Sequence, residues 1–210
     1  RDRIYKTYQE MAEKESARAD GIDVVSIVTP NHLHVPIAKI FAENGIHIIC
    51  DKPIGMSSKE AIDLKKVIES KKLIFALTHN YTGYPMVRHA RSLVQKGDLG
   101  SLRVIQAEYP QDWLTTKAED SGLKQAEWRT DPNRSGAGGC IGDIGTHAYN
   151  LIRFITGLEV DEISADIHTF VEGRKVDDNA QIMLRFKGGA KGSIWSSQVA
   201  VGNENNLKIR

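Results

Sequence analysis

The stretch IDVVSIVTPNHLHVPIAKIFAENGIHIICDKP, residues 22–53, decides the fold class of this chain. Its first seven residues are rich in β-branched side chains and predict a strand that is buried on both faces. Residues 35–45 predict a helix with Pro36 in its first turn and Gly45 at its end, and the following IHIIC predicts the next strand. A strand, a helix and a strand in this order indicate a right-handed βαβ unit with a parallel sheet.

The same alternation extends on both sides of this stretch. Residues 1–19 have the pattern of a helix, and residues 57–72 predict another that opens with Ser57 and Glu60 as a capping box. LIFALT, residues 73–78, predicts a further strand. The first part of the chain is therefore expected to be α/β with a parallel sheet.

After about residue 80 the pattern changes. A helix is expected over 85–96 and a strand over 102–109, followed by a long irregular stretch at 110–139 and another helix. Strands with a period of two residues then turn at adjacent glycines, which indicates hairpins and a mixed or antiparallel sheet with one exposed face. The alternating apolar positions are Ile163, Ala165 and Ile167, and then Ala180, Ile182, Leu184 and Phe186.

Composition narrows the functional classes. The chain has 210 residues, 40% hydrophobic and 26% charged, with a formal net charge of +1, which predicts no attraction to nucleic acid or to an anionic membrane. No apolar run approaches the roughly 20 residues that span a bilayer. Cys50 and Cys140 form neither a disulfide framework nor a metal-ligand pair, so we expect a cytoplasmic protein. The chain starts without methionine and reads as a piece of a longer polypeptide.

The strongest chemical signal is GGCIGDIGTHAYNLIRFITG, residues 138–157. Asp143, His147 and Asn150 lie at i, i+4 and i+7 and predict a polar stripe beside a core-facing one. A carboxylate one turn before a histidine can fix its tautomer and raise its basicity, as a general base requires. The alternative is that Asp143 serves free N–H groups at a helix start and that His147 is merely exposed.

VTPNHLH, residues 28–34, follows the first complete strand. Thr29, Asn31 and His32 offer polar groups at a strand's carboxyl end, where open α/β sheets bind nucleotides. The alternative is a turn in which Asn31 caps the next helix. The spacing of His32 and His34 is a weak metal signal without a third ligand, and we predict no metal site.

Two further motifs carry candidate ligand contacts. Pro53 keeps Lys52 out of the helical region and presents it in an extended conformation at a strand end, although a solvated turn lysine would look the same. In EWRTDP, residues 127–132, Trp128 and Arg129 can stack on and hydrogen-bond a ligand, or the tryptophan can anchor a loop.

The motifs VSIVTPNHxH, DKP, NY, WR and GGxxxDxGxH, in this order, resemble the glucose–fructose oxidoreductase/inositol dehydrogenase/rhizopine-catabolism (Gfo/Idh/MocA) family over essentially the whole chain. The resemblance implies that residues 1–82 are the C-terminal part of a Rossmann NAD(P)-binding domain. It further implies that residues 83–210 are an α+β substrate and oligomerisation domain with an open sheet, truncated at its C-terminus. The implied catalytic residues are Lys52, Asp143 and His147, and the implied cofactor contacts are Thr29, Asn31, His32, Asp51, Asn80, Trp128 and Arg129.

The resemblance also implies an activity. We expect NAD or NADP as cofactor, a sugar or polyol as substrate, hydride transfer from a secondary hydroxyl, and a homo-oligomer (dimer or tetramer) formed through the open sheet. Two alternatives stay open. One is an epimerase, lyase or glycosidase of the same fold that recycles its NAD, and the other is a sugar- or nucleotide-sensing protein without turnover. A cis Lys52–Pro53 bond is a further expectation from the family.

Three features depart from the family pattern. The G-x-G-x-x-G turn and the acidic residue that reads the ribose are expected before Arg1, so this stretch alone should bind a dinucleotide poorly. Asp51 stands where the family usually has glutamate, which places its cofactor contact in question. Asn150 stands where many members have aspartate, and a neutral amide there would weaken charge support for His147.

Overall fold

A computed structural model describes residues 3–202 and 205–210, and the chain forms two compact units, Arg1–Thr78 and His79–Arg210. Within the described residues, none of the helices combines the length and the apolar character that a bilayer crossing requires. Each unit has its own hydrophobic core. The α/β class predicted for the first part and the mixed sheet predicted for the second are both confirmed.

The first unit is a three-stranded parallel sheet with helices. Strands β1 (Val24–Ile27), β2 (His47–Asp51) and β3 (Phe75–Thr78) lie in the order β1-β2-β3. Its core consists of apolar side chains from strands and helices, among them Ile27, Phe41, Ile48, Cys50 and Leu64. The helices are α1 (Tyr8–Ser16), α2 (Asn31–Glu43) and α3 (Ser58–Ser70).

Helix α3 begins where the sequence predicts, and helix α1 is shorter than predicted. Helix α3 begins as expected, since the Ser57 side chain accepts a hydrogen bond from the Glu60 N–H at 3.2 Å. Helix α1 is shorter than the predicted helix at 1–19, of which Arg1 and Asp2 lie outside the described residues.

Helix α2 begins earlier than predicted. Its N-cap is Pro30 and its first helical residue is Asn31, so Asn31 does not occupy the cap position predicted for it. Pro36 lies in the second turn, where its missing N–H removes one intrahelical hydrogen bond. Because proline is common in the first helical turn, the sequence prediction placed the start of α2 too late in the chain.

The second unit is built on a five-stranded mixed sheet. It opens with a 3₁₀ turn (Asn80–Gly83) and helix α4 (Pro85–Lys96). The strands lie in the order β5-β6-β7-β4-β8; β4 pairs parallel with β7, and the other pairs are antiparallel. The strand bounds are β4 (Val104–Pro110), β5 (Val160–His168), β6 (Asn179–Phe186), β7 (Lys191–Ser197) and β8 (Lys208–Ile209).

The helix after the irregular stretch has an unexpected beginning. A π-helical turn, Ile141–Gly145, leads into α7 (Thr146–Thr156). The uniform α-helical spacing assumed for Asp143 and His147 is therefore wrong at its start, because a π turn adds a residue to the helical ladder. The core-facing stripe is confirmed, since all of its members are buried: Ile144, Ala148, Leu151, Ile152 and Ile155.

The stretch at 110–139, predicted to be irregular, contains a 3₁₀ turn (Ala118–Ser121) and the short helices α5 (Lys124–Arg129) and α6 (Pro132–Ser135). Its first part is held by Arg174, whose side chain is fully buried. The guanidinium donates to both oxygens of Glu119 at 3.0 Å, to Asp178 at 3.2 Å and to the carbonyl of Leu114 at 2.8 Å. A buried cation thus ties this segment to the turn before β6.

Replacing Arg174 with methionine is expected to lower the free energy of unfolding by about 3–5 kcal/mol, because it leaves two carboxylates without their cation. The Asp178 side chain is fully buried, so its uncompensated charge cannot be hydrated. Urea denaturation, which leaves ion pairs unscreened, measures the change.

Arg185→Met is the matched control, since Arg185 pairs with Glu162 and both side chains are more than half exposed. Its expected cost is about 0–1 kcal/mol. Equal losses in the two variants would contradict the assigned role of Arg174. Burial is the largest single influence on the pKa of Glu119 and raises it, but the hydrogen bond from Arg174, a backbone hydrogen bond and the charge of Arg174 together lower this pKa below its usual value. This stabilisation is therefore present above the usual carboxyl pKa and is lost as the pH falls.

Candidate functional site

Five of the residues predicted from the sequence lie at the carboxyl end of the parallel sheet. Thr29, Asn31 and His32 follow β1, Asp51 ends β2, and Lys52 comes next. Because β1 and β2 are adjacent and parallel, with Ile27 opposite Cys50, their carboxyl ends lie side by side. We call Thr29, Asn31, His32, Asp51 and Lys52 the strand-end group. Its place is where open α/β sheets bind ligands.

Two buried atoms of the strand-end group have no hydrogen-bond partner among the described residues. They are Oγ1 of Thr29 and Nδ1 of His32. An unsatisfied buried polar group costs about 1–3 kcal/mol, so such groups commonly mark a ligand or an ordered water. A hydroxyl and an imidazole at the end of a parallel strand suit the polar edges of a nucleotide cofactor.

Asp51 has a partner inside the sheet. Thr78, at the end of β3, donates its hydroxyl to Oδ1 of Asp51 at 2.7 Å. This bond joins the carboxyl ends of β2 and β3 and orients the shorter acid that stands where the family usually has glutamate. The Lys52–Pro53 peptide bond that follows is cis, as expected.

His34 is a residue whose role the sequence did not suggest. Its side chain is buried, Nε2 lies 2.7 Å from the carbonyl oxygen of Thr29, and Nδ1 lies 2.7 Å from that of Pro53. The imidazole therefore bridges the loop after β1 and the loop after β2. No group of three or more histidine, cysteine, aspartate or glutamate side chains that could hold a metal ion occurs in the part of the chain that the structure describes.

In the second unit, His147 lies among aromatic rings. Its imidazole packs edge-on against Tyr81 with the ring centroids 4.7 Å apart, and the rings of His79 and Tyr109 lie 6.1 and 6.4 Å away. His147 is 8% exposed, which excludes the reading of a merely exposed histidine. We call His79, Tyr81, Tyr109, Asp143 and His147 the His147 cluster.

The two tyrosines of the cluster are paired. Their hydroxyl oxygens are 2.7 Å apart. Burial, and after it the hydrogen bond with Tyr81, raises the pKa of Tyr109 far above its usual range, so Tyr109 stays a neutral hydrogen-bond donor at physiological pH. Tyr109 therefore contributes a polar but uncharged side chain beside His147.

Asp143 has two side-chain partners from distant segments. Gln198, which is buried, donates from Nε2 to Oδ2 of Asp143 at 3.0 Å, and Nε of Arg129 lies 3.3 Å from the same oxygen. The Arg129 guanidinium also stacks over the ring of Trp128 at 4.2 Å. The structure thus brings the Trp128–Arg129 pair to Asp143, which the sequence proposed in a separate motif, and adds Gln198.

Two further residues from the sequence predictions, Asn80 and Asn150, lie close in sequence to members of the His147 cluster. Asn80 is exposed in the 3₁₀ turn next to Tyr81, and Asn150 is half-buried on α7. Tyr81 and Gln198 were not predicted as site residues; the NY pair at 80–81 was a signal for Tyr81, and no local pattern marked Gln198.

One glycine of the glycine-rich segment that precedes Asp143 is required by packing. A Cβ on Gly139 would lie 2.0 Å from the carbonyl oxygen of Asp177, whereas one on Gly142 would meet nothing within 4 Å. The close approach of Gly139 to the turn before β6 therefore explains part of the glycine-rich pattern.

Gly139→Ala is expected to lower the free energy of unfolding by roughly 1–3 kcal/mol, as overpacking a tight contact does. Gly142→Ala, three residues away, should leave it unchanged or raise it by about 0.4–1 kcal/mol. Urea unfolding of the two variants side by side measures the difference. Equal stability of the two proteins would show that the Gly139 contact is not needed.

Both cysteines are buried, as expected. Burial, and after it the charge of Asp51, raises the pKa of Cys50 to about 12. Burial, and then the charge of Asp177, raises the pKa of Cys140 further still. Both are therefore thiols at physiological pH, and neither is an activated nucleophile.

Comparison with known proteins gives two family matches. A model described as "Oxidoreductase family, NAD-binding Rossmann fold" matches residues 3–79, and one described as "GFO/IDH/MocA C-terminal domain" matches residues 87–210. Among curated proteins, levoglucosan dehydrogenase from Pseudarthrobacter phenanthrenivorans is 32% identical over 89% of this chain and 52% of its own length. The chain spans about half the length of the curated relatives it matches.

Solved structures agree with these matches. An oxidoreductase from Sinorhizobium meliloti is 47% identical, with a TM-score of 0.85 over 99% of this chain and 54% of that one. An inositol dehydrogenase homolog from Azotobacter vinelandii, complexed with NADH and myo-inositol, is 29% identical with a TM-score of 0.90. That match covers 98% of this chain and 52% of the other.

Proposed function

Because the chain belongs to the Gfo/Idh/MocA oxidoreductase family, we propose that it acts as part of an NAD(P)-dependent dehydrogenase on a secondary hydroxyl of a sugar or polyol. The proposal rests on one observation above all: a chain with both family matches carries Lys52, Asp143 and His147 in the motifs of that family. Levoglucosan dehydrogenase and the inositol dehydrogenase homolog support the substrate class.

The cofactor is proposed to bind through the strand-end group. The unsatisfied Thr29 Oγ1 and His32 Nδ1 support this, since a ligand there would supply their missing hydrogen bonds. Asn31 and Asp51 belong to the same end of the sheet, and Asn80, Trp128 and Arg129 complete the proposed cofactor contacts. Bound NAD(P) supplies the acceptor for the hydride that leaves the carbinol carbon.

In the proposed reaction, His147 accepts the hydroxyl proton of the substrate as general base. Asp143 orients His147 and stabilises its charged form, and Arg129 and Gln198 hold the Asp143 carboxylate in turn. Lys52 donates a hydrogen bond to the reacting oxygen and stabilises the negative charge that develops there. Neutral Tyr109 adds a polar side chain without charge beside the imidazole.

The remaining features of the proposal concern organisation. We assign residues 1–82 to the cofactor domain and residues 83–210 to the substrate domain. The open face of the five-stranded sheet, where Met183 and Val104 are about two-thirds exposed, is the proposed contact between copies of the protein. A cytoplasmic location is proposed because both cysteines are free thiols.

A cofactor-coupled screen tests the reaction. The full-length protein is incubated with NAD⁺ or NADP⁺ and a panel of sugars and polyols that includes levoglucosan and myo-inositol, and the reduced nicotinamide is measured by absorbance. Net reduction with one of them supports the proposal. Product formation with tightly held NAD and no net reduction would favour the epimerase, lyase or glycosidase alternative. Thermal stabilisation by a sugar without any redox signal would favour a sensor.

A further inference from the structure

Asp177, in the turn before β6, holds three consecutive residues at the start of the π turn. Its carboxylate accepts hydrogen bonds from the N–H of Gly139 at 2.6 Å and of Ile141 at 2.9 Å, and from the thiol of Cys140 at 3.0 Å. Its own carbonyl oxygen accepts the N–H of Cys140 at 2.9 Å. We call these four bonds the Asp177 clasp.

The clasp satisfies N–H groups that the helix itself cannot. The first N–H groups of a helical segment have no partner within it, and a negative charge beside them is favoured by the helix dipole. Asp177 is 9% exposed and Cys140 is fully buried, so solvent does not replace these bonds. A single carboxylate, 38 residues away from Gly139 in sequence, therefore sets where this segment starts.

The clasp leads directly to the His147 cluster. The carbonyl oxygen of Gly139 accepts the N–H of Asp143 at 2.9 Å. This carbonyl belongs to the same peptide group as the Cys140 N–H that Asp177 binds, so a peptide held by Asp177 also holds the backbone of Asp143. The π turn then carries the chain from Asp143 to His147.

Asp178, the residue after Asp177, is connected to the side chain of Asp143 by a second route. The carbonyl oxygen of Asp178 accepts the backbone N–H of Gln198 at 2.8 Å, and the Gln198 side chain donates to Asp143. The two residues before β6 thus both hold Asp143: Asp177 acts on its backbone through Gly139, and Asp178 acts on its side chain through Gln198.

We propose that Asp177 is a positioning residue that sets the place of Asp143 and His147 through the Asp177 clasp. The inference rests on the proposed function for its catalytic meaning, since it takes Asp143 and His147 as the acid–base pair. Asp177 itself does not take part in the chemistry.

Asp177→Asn in the full-length protein is the test, because it keeps the size of the side chain. The oxygen Oδ2 accepts from both the Cys140 thiol and the Ile141 N–H, and an amide NH₂ in its place would confront these donors with another donor. Asp166→Asn, at an exposed position on β5, is the matched control.

Two measurements need no substrate. Hydrogen exchange of the peptide covering 138–147 is expected to accelerate in Asp177→Asn and not in Asp166→Asn. In protein made with isotope-labelled histidine, the NMR signal of His147 is expected to move in Asp177→Asn only, while that of the exposed His89 stays in place. An unmoved His147 signal would overturn the proposal.

Turnover of levoglucosan or myo-inositol with NAD⁺ provides the catalytic measurement. We expect kcat to fall about tenfold to a hundredfold with KM changed less than about threefold, since a displacement on the order of 1 Å can cost about 10² in rate. A normal kcat beside accelerated exchange would leave the clasp purely structural and overturn its catalytic role. Absence of turnover in the unsubstituted protein would count against the proposed function instead, and the His147 signal would still decide the positioning.

If Asp177→Asn does not fold, Cys140→Ala removes one bond of the clasp and keeps the carboxylate. Faster exchange at 138–147 and a displaced His147 signal are expected in this variant as well. Unchanged exchange and an unchanged signal would contradict the proposal.

Discussion

Replacing His147 with alanine in the full-length protein is expected to lower kcat by about 10²–10⁴, the usual contribution of a positioned general base. His147 is nearly buried against Tyr81, so another base cannot easily take its place. KM should change little, because the proton is taken in the transition state and not during binding. Steady-state kinetics with the substrate found in the cofactor-coupled screen measure the loss.

His89→Ala is the control for this substitution, since His89 is an exposed histidine on α4. It should retain the original kcat. Circular dichroism and urea unfolding of the His147 variant establish that the loss is not a loss of folded protein. Near-normal turnover of folded His147→Ala would remove His147 from the catalytic assignment.

Replacing Lys52 with alanine is expected to lower kcat by a similar factor, about 10²–10⁴, the scale found when a single oxyanion donor or acid–base group is removed. The ammonium is proposed to stabilise charge on the reacting oxygen, so the effect should appear in kcat and kcat/KM together. Binding of NADH, measured by its fluorescence, should change much less, which separates loss of chemistry from loss of cofactor.

Lys59→Ala, at an exposed position on α3, is the control and should leave kcat and NADH binding unchanged. Loss of NADH binding together with turnover in Lys52→Ala would assign Lys52 to the cofactor site and not to the reaction. Retention of turnover would contradict both assignments.

Elements with strong local signals were predicted well. Helix α4 runs from Pro85 to Lys96 and ends at Gly97, as expected, because proline suits the first turn and Gly97 takes a φ of 77°. The same rule failed at α2, where Pro36 lies in the second turn. A residue preference is informative only when the surrounding turn agrees with it.

The candidate site was predicted in part. Its acid, base and lysine lie in local motifs, which the sequence displays directly. The π turn was hidden, since Asp143 and His147 fit an α-helical repeat as well. Arg174, Asp177 and Gln198 act through bonds that join segments dozens of residues apart. Such bonds depend on the register of the sheet and leave no periodic trace in a single sequence.

The bridge made by His34 has a consequence for anyone who redesigns this protein. One imidazole contacts the carbonyl that precedes Pro30 and the carbonyl that follows Lys52. The two loops therefore depend on the same side chain. Replacing either loop with that of a relative, without the other loop or without His34, removes a contact that both loops share. Loop exchange intended to alter cofactor preference should move all three together.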